Sequence, residues 1–472
     1  MSEQIAGVRA LHQSAGNKKQ MTYTEFLDSS PMTKFLWLLL FGLCLAQLLD
    51  GIDFQATSFA MPGIIKEFRL NPAQAGVIPA ITNLGLAIGA VFFPLLCDRV
   101  GRKPIFQWIL LTYAFGTFIC AISPTYQILL TGRFIAGIGI GAQFPIVMAI
   151  LAEYSPARLR HIFVPIGPIF YSVGWIVVAL LALWLIPLYG WRTIYWIGIA
   201  PAAMTLFVRF LLPESVRYLL ARGKVEEAGQ IVNDIARKTG RADIQLVPPV
   251  MRQAPAKQGL GQQIGSLGPV FGTMVILSIF YFCHYMQMFG VSVWLPTLFV
   301  RYGFVIAKSF TYTMIIFIAV PISQVIAIWF QNKVSRKWAL FIMTWGGTVF
   351  FILFGTSFQQ HWPVWAMVGS QVCQVLLYNG VIVVLYTISA ELFPTSVRTL
   401  GMGIVNGVGR IGAMLGPFIL GVFLKENLSI GHILYLFALP PILGSACVVV
   451  AIKIDSRRKS LEEISMEVAA QK

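Results

Sequence analysis

AEYSPARLR at 152–160 returns, without a gap, as AELFPTSVR at 390–398. Glu153 falls on Glu391, Pro156 on Pro394 and Arg160 on Arg398, all at one offset. A second pair of stretches, DRVGRK (98–103) and NKVSRK (332–337), lines up at a nearly equal offset, and Met61-Pro62 falls on Leu295-Pro296. A chain that repeats itself over about half its length is built from two related halves.

Composition says what those halves are made of. Of 472 residues 57% are hydrophobic and only 11% charged, with a mean hydropathy of +0.75, a balance that excludes an ordinary water-soluble globule. Apolar stretches long enough to cross a bilayer recur near 35–60, 74–97, 104–122, 126–152, 161–185, 190–212, 270–300, 308–330, 337–357, 362–389, 400–424 and 430–454. The expected fold is an all-α polytopic membrane protein of twelve transmembrane helices in two pseudo-symmetric six-helix bundles. Its divisions are an N-terminal segment (1–34), an N-terminal bundle (35–212), a linker (213–269), a C-terminal bundle (270–454) and a tail (455–472). GKVEEAGQIVNDIARKTG in the linker patterns as a short amphipathic helix.

Loop charges set the orientation. Arg99, Arg102, Lys103, Arg158, Arg160, Lys333, Arg336 and Lys337 share one side, whereas the short loops opposite hold only Lys66, Arg69, Arg192, Arg301, Lys308 and Lys425. The positive-inside rule places both termini in the cytoplasm, and the first 34 residues lack the pattern of a secretory signal. The formal charge of +16 needs no nucleic acid, since topology and anionic lipid headgroups account for it. Cys44, Cys97, Cys120, Cys283, Cys373 and Cys447 have no metal-ligand spacing and read as free thiols.

Together with the repeat, CDRVGRKP (97–104), GRFIAGIGIG (132–141), PESVRYLLARGKVEEA (213–228) and AELFPTSVR resemble the major facilitator superfamily over nearly the whole chain, in the branch of sugar porters and organic ion carriers. The resemblance implies a secondary transporter of the bacterial cytoplasmic (inner) membrane, a monomer with no cofactor beyond coupled protons, working by alternating access. It also implies that Asp98, Arg99, Arg102, Glu153, Arg160, Glu391 and Arg398 gate the two halves. The superfamily's loop signature begins with Gly, where this chain has Pro94.

Two carboxylates interrupt the first span in QLLDGIDFQA (47–56). Asp50 and Asp53 are three apart and project from neighbouring positions on one helix face. Each costs about 2.5–3.5 kcal/mol at a bilayer centre, so they ask for a partner or a proton. A water-lined structural cluster is the other reading. GIDF resembles the first-helix signature of proton-coupled sugar porters, in which the Asp carries the proton and pairs with a fourth-helix Arg, here Arg133; Ile52 stands where those carriers have an aromatic. Helix movement would then exchange the ion pair for a proton, with Asp50 sharing it or hydrating its path. His284 and Gln287 fall on Asp50 and Asp53 in the repeat, and His284 reads first as a hydrogen-bonded polar residue.

Arg410, in NGVGRIGAMLGP (406–417), is a third buried charge. It reads either as a structural cation paired with Glu391 or Asp98, or as a clamp for a carboxylate. Organic anion carriers of the branch have an Arg at the similar place. Asn83, Gln143, Tyr171, Trp175, Tyr285, Trp294, Tyr378 and Asn379 could complete a pocket, with flat rings to stack an aromatic ligand and amides for its edge. HYMQMFGVSVW (284–294), GPIFYSVGW (167–175) and LLYNGVIVVLY (376–386) lack the sugar-gripping amides of sugar porters, which argues against a hexose. The chain resembles bacterial niacin transporters, so the expected function is proton-coupled import of a small aromatic monocarboxylate, nicotinate first and hydroxybenzoate-like acids second. A cation or zwitterion carrier reading ligand charge through Asp50 or Asp53 is the alternative, and a non-transporting receptor a remoter one. No nucleophile–base or metal constellation suggests an enzyme.

Overall fold

The computed structural model describes residues 20–241, 244–248, 268–393 and 398–451. Twelve helices in it are long and apolar enough to cross a membrane. In chain order they are α1 (Lys34–Phe68), α2 (Pro72–Val100), α3 (Arg102–Ile122), α4 (Tyr126–Tyr154), α5 (Arg160–Tyr189) and α6 (Arg192–Leu211). The second six are α7 (Phe271–Arg301), α8 (Ile306–Lys333), α9 (Arg336–Gln359), α10 (Val364–Leu392), α11 (Arg398–Lys425) and α12 (Ile430–Ala451). Helices are the natural outcome, because a spanning segment must satisfy its own backbone polar groups.

Local chemistry sets several ends. Asn71 caps α2 in a reciprocal capping box with Gln74, ahead of Pro72, and Thr125 caps α4. α1 runs to Phe68, past the expected end near 60. Pro62 does not stop it, since a missing N–H is tolerated where neighbouring helices pack round the break, and Arg69 in the left-handed region (φ 50°) terminates it. α10 is interrupted at Asn379-Gly380, between helical pieces Val364–Tyr378 and Val381–Leu392.

The linker folds against the first bundle. Val225–Lys238 forms the expected amphipathic helix, burying Ala228, Val232, Ile235 and Ala236. Glu214 accepts the backbone N–H of Arg102 at 2.9 Å, and Tyr218 donates its hydroxyl to the Arg99 carbonyl at 3.0 Å. A pairing that the sequence did not suggest joins Gln20–Thr22 to Gln245–Val247 as two short parallel strands.

The bundles meet at the end away from the linker. There Ser58 of α1 donates to the Ser292 and Val293 carbonyls of α7 at 3.1 and 2.9 Å. Phe59 packs edge-on against Phe310 and Phe317 of α8. Gly76 of α2 sits so close to α11 that a Cβ would stand 2.8 Å from the Pro417 carbonyl oxygen. Small residues let the backbones approach this closely. On the linker side the bundles separate round a central cavity.

Candidate functional site

The cavity holds about 580 Å³. Asp50 of α1, Phe144 and Met148 of α4, and Tyr171 and Trp175 of α5 line it from the first bundle. Tyr285 and Phe289 of α7, Gln324 of α8, Asn379 and Tyr386 of α10, and Met402 and Arg410 of α11 line it from the second. Met148, Ile328, Thr387 and Met402 all lie toward the linker ends of their helices, so the cavity extends that way, while the Ser58 and Gly76 contacts seal the other end.

Behind the wall lies a closed electrostatic unit. Arg133 Nη1 donates to Asp53 Oδ2 at 2.9 Å, and both side chains are at most 1% exposed. Thr117 donates to the other Asp53 oxygen at 3.1 Å, Arg133 Nε donates to Thr82 Oγ1 at 3.3 Å, and the guanidinium lies 5.6 Å from the Tyr195 ring centre. Thr82, Thr117 and Tyr195 were invisible to sequence reasoning, because a single hydroxyl in an apolar helix carries no signal of which way it faces.

Asp50 is one turn away and differently placed. It lines the cavity, is 1% exposed, and neither carboxyl oxygen has a hydrogen-bond partner among the described residues. Arg410 also lines the cavity and pairs with no described carboxylate; its guanidinium lies 5.8 Å from the Tyr285 ring centre. The structural reading of Arg410, a pairing with Glu391, is set aside by the geometry: Glu391 takes Arg336 of α9 at 3.2 Å. The side chain of Asp98, the other partner considered, lies outside the described residues.

The rings form a connected wall. Phe54 stacks on Trp175 at 6.2 Å and meets Phe289 edge-on at 5.3 Å, and Phe289 in turn meets Tyr285 at 5.3 Å. Tyr285 donates to Asn406 at 3.2 Å and shares a second contact of that length with Tyr386. A water-sized cavity of about 30 Å³ adjoins this wall, lined by Gln287, Ser292, Gln371, Gln374, Tyr378 and Asn379. Gln371 and Gln374 escaped the sequence reading, as did Gln324, Phe54, Phe289 and Tyr386.

Four expected pocket residues lie outside both cavities. Asn83 turns back on its own helix and donates to the Pro79 carbonyl at 2.9 Å. Gln143 donates to the Ala46 carbonyl at 2.9 Å, pinning α4 to α1. Trp294 donates to the Pro417 carbonyl at 3.0 Å, part of the seal between α7 and α11. His284, expected to be hydrogen-bonded, is instead fully buried against Tyr378, ring centres 4.5 Å apart, and neither ring nitrogen has a partner among the described residues. A polar side chain on a helix that is apolar all round gives no pattern from which its direction can be read.

Among the described residues, the repeated motifs form a matching Arg–Glu pair within each bundle. Arg102 bridges to Glu153, which also accepts from Ser215 at 2.7 Å, and Arg336 repeats the contact with Glu391 in the second half. Arg160 pairs with Asp28 of the N-terminal segment, Arg398 donates to the Phe393 carbonyl at 3.1 Å, and the Arg99 side chain is exposed.

A sequence model described as "Sugar (and other) transporter" matches residues 11–467. The chain belongs to this family of major facilitator transporters. Among relatives of the sugar (and other) transporter family, the niacin transporter NiaP of Acinetobacter baylyi is 31% identical, covering 94% of this chain and 100% of that protein. The 4-hydroxybenzoate transporter PcaK of the same organism is 27% identical over 94% of this chain and 96% of its own length. The xylose transporter XylE of E. coli, solved in a partially occluded inward-open conformation, superposes with a TM-score of 0.70 at 17% identity, covering 91% of this chain and 100% of XylE. The family's members here are transporters and not enzymes, and the fold is that of the major facilitators.

Proposed function

We propose that this protein is a proton-coupled importer of a small aromatic monocarboxylate, with nicotinate the first candidate and hydroxybenzoates the second. The observation that carries the reading is Arg410: a guanidinium in an aromatic-walled cavity between the bundles, with no described carboxylate to neutralise it. A planar two-pronged cation suits a carboxylate, and flat rings at Tyr171, Trp175, Tyr285 and Phe289 suit the ring that bears it. The relatives named for niacin and 4-hydroxybenzoate transport support the substrate class.

Asp53 is the proposed coupling group. When helix movement breaks its contact with Arg133, a proton takes the cation's place. The cavity opening toward the linker corresponds to the cytoplasm-facing state of a bacterial inner-membrane carrier that works as a monomer with both termini inside. A second reading, a cation or zwitterion carrier, draws on the unpaired Asp50 in the same cavity.

The deciding experiment measures binding of nicotinate and nicotinamide to purified protein. Arg410→Ala leaves a ligand carboxylate unpaired in a partly desolvated cavity and should cost about 2–5 kcal/mol of affinity. Arg410→Lys keeps the charge but loses the fork, and should bind weakly yet measurably. Nicotinamide binding the parent as tightly as nicotinate, or parental affinity in well-folded Arg410→Ala, would refute the clamp and bring the cation or zwitterion reading forward.

A further inference from the structure

The polar groups that line the cavity differ in how far they are satisfied. Gln324 donates to Ser172 at 2.8 Å, Tyr285 is engaged with Asn406 and Tyr386, and Thr387 donates to the Val383 carbonyl of its own helix at 3.0 Å. These have partners already, apart from Gln324 Oε1, while Trp175 Nε1 of the same lining has none among the described residues. Asp50 and Arg410, the two formal charges of the lining, have no hydrogen-bond or ion-pair partner among the described residues. Arg133 of α4, behind the wall, is held by Asp53.

Asp50 is sixteen residues into α1 and Arg410 twelve residues into α11, and both helices start on the linker side. By count, each lies several turns into its helix from the linker side. Tyr171, a ring of the cavity wall, lies within electrostatic reach of both. A buried carboxyl group without a partner is costly, so a ligand whose ring nitrogen shares a proton with it gains more than one that presents C–H there.

We propose that Asp50 reads the ring nitrogen of a pyridine carboxylate through one shared proton, while Arg410 holds the carboxylate. This deepens the proposed function and rests on it. The proton lies between a carboxyl oxygen of Asp50 and the nitrogen lone pair and stays on Asp50 when the substrate leaves, so it adds nothing to the one proton coupled at Asp53. No bond between heavy atoms changes. Benzoate fills the same ring wall and the same clamp but leaves Asp50 unanswered, so the site discriminates pyridine from benzene acids.

The test compares two ligand pairs by calorimetry on the intact purified carrier at one pH. Nicotinate should bind the parent tighter than benzoate by on the order of 10- to 100-fold, the worth of one hydrogen bond to a charged group. In Asp50→Ala the ratio should fall to within about threefold, through lost nicotinate affinity and not through weakened benzoate binding. Equal affinities in the parent, or a ratio that survives in folded Asp50→Ala, overturn the assignment. Should the variant not fold, the parent ratio decides alone. Nicotinamide against benzamide repeats the ring comparison without a carboxylate. If the Arg410 clamp is wrong, nicotinamide matches nicotinate and the amide pair still reports on the nitrogen. If only the Asp50 assignment is wrong, nicotinate outbinds nicotinamide while neither pair separates pyridine from benzene.

Discussion

Asp53→Asn removes the charge that faces Arg133 and keeps an oxygen able to accept from Arg133 or Thr117. The pair it breaks spans 2.9 Å, with side chains 0% and 1% exposed. Neutralising one member of a pair so buried costs about 3–5 kcal/mol, and the surviving acceptor places this case at the low end. Adding Arg133→Met should return part of that cost, because the orphaned cation goes with it. Transport has its own arithmetic. A pH difference of one unit carries about 1.4 kcal/mol per co-transported proton, which is a tenfold concentration ratio. In reconstituted vesicles with an acidic exterior and no membrane potential, the parent should accumulate nicotinate to about ten times its outside concentration, with passive entry of the acid into protein-free vesicles subtracted. The variant should stop near equal concentrations yet still exchange labelled for unlabelled substrate. If Asp53→Asn concentrates substrate as the parent does, the proton is carried elsewhere and the role given to the Asp53–Arg133 pair is wrong.

Ser58→Ala deletes the hydroxyl that reaches two α7 carbonyls in the seal. Losing about 1 kcal/mol there should shift the balance of facing states roughly fivefold away from this one, read as labelling of a cysteine placed beside Ser58, and unchanged labelling counts against the seal. Gly51→Ala drives a methyl to 1.9 Å from the Tyr171 carbonyl oxygen, a backbone atom that cannot swing aside, so α1 and α5 must part and folded yield should drop sharply. Glu391→Gln weakens the contact with Arg336 inside the second bundle and should alter transport rate while nicotinate affinity stays within about twofold, since the pair does not line the cavity.

Hydropathy was enough to find every spanning helix, because a bilayer imposes length and apolarity on each alike. The repeat told more than topology. Arg102 and Glu153 occupy matched places with Arg336 and Glu391, and the structure joins each Arg to the Glu of its own half, a contact that two aligned motifs foreshadow. Side-chain direction was far less legible. Gln143 and Gln324 are both amides set in apolar stretches of helix, yet one ties down a neighbouring backbone and the other faces the cavity. The periodicity that separates inside from outside in a soluble helix is missing where both faces are apolar. The strand pairing of Gln20–Thr22 with Gln245–Val247 was hidden for another reason, since three residues are too few to show alternation.

The linker helix Val225–Lys238 has contacts that assign it to one moving part. Lys238 at its end lies 4.8 Å from the ring centre of Phe35 of α1, Glu214 and Tyr218 just before it hold the linker to α3 and α2, and Arg241 and the strand pair just after it tie it to the N-terminal segment. It is therefore a handle on that bundle alone. A fluorophore on its exposed Glu227, paired with one on Trp365 at the far end of the second bundle, would register rocking as a change in transfer efficiency without touching the cavity. By the same leverage, an antibody fragment gripping that helix would load one half of the machine with inert mass and leave the other free.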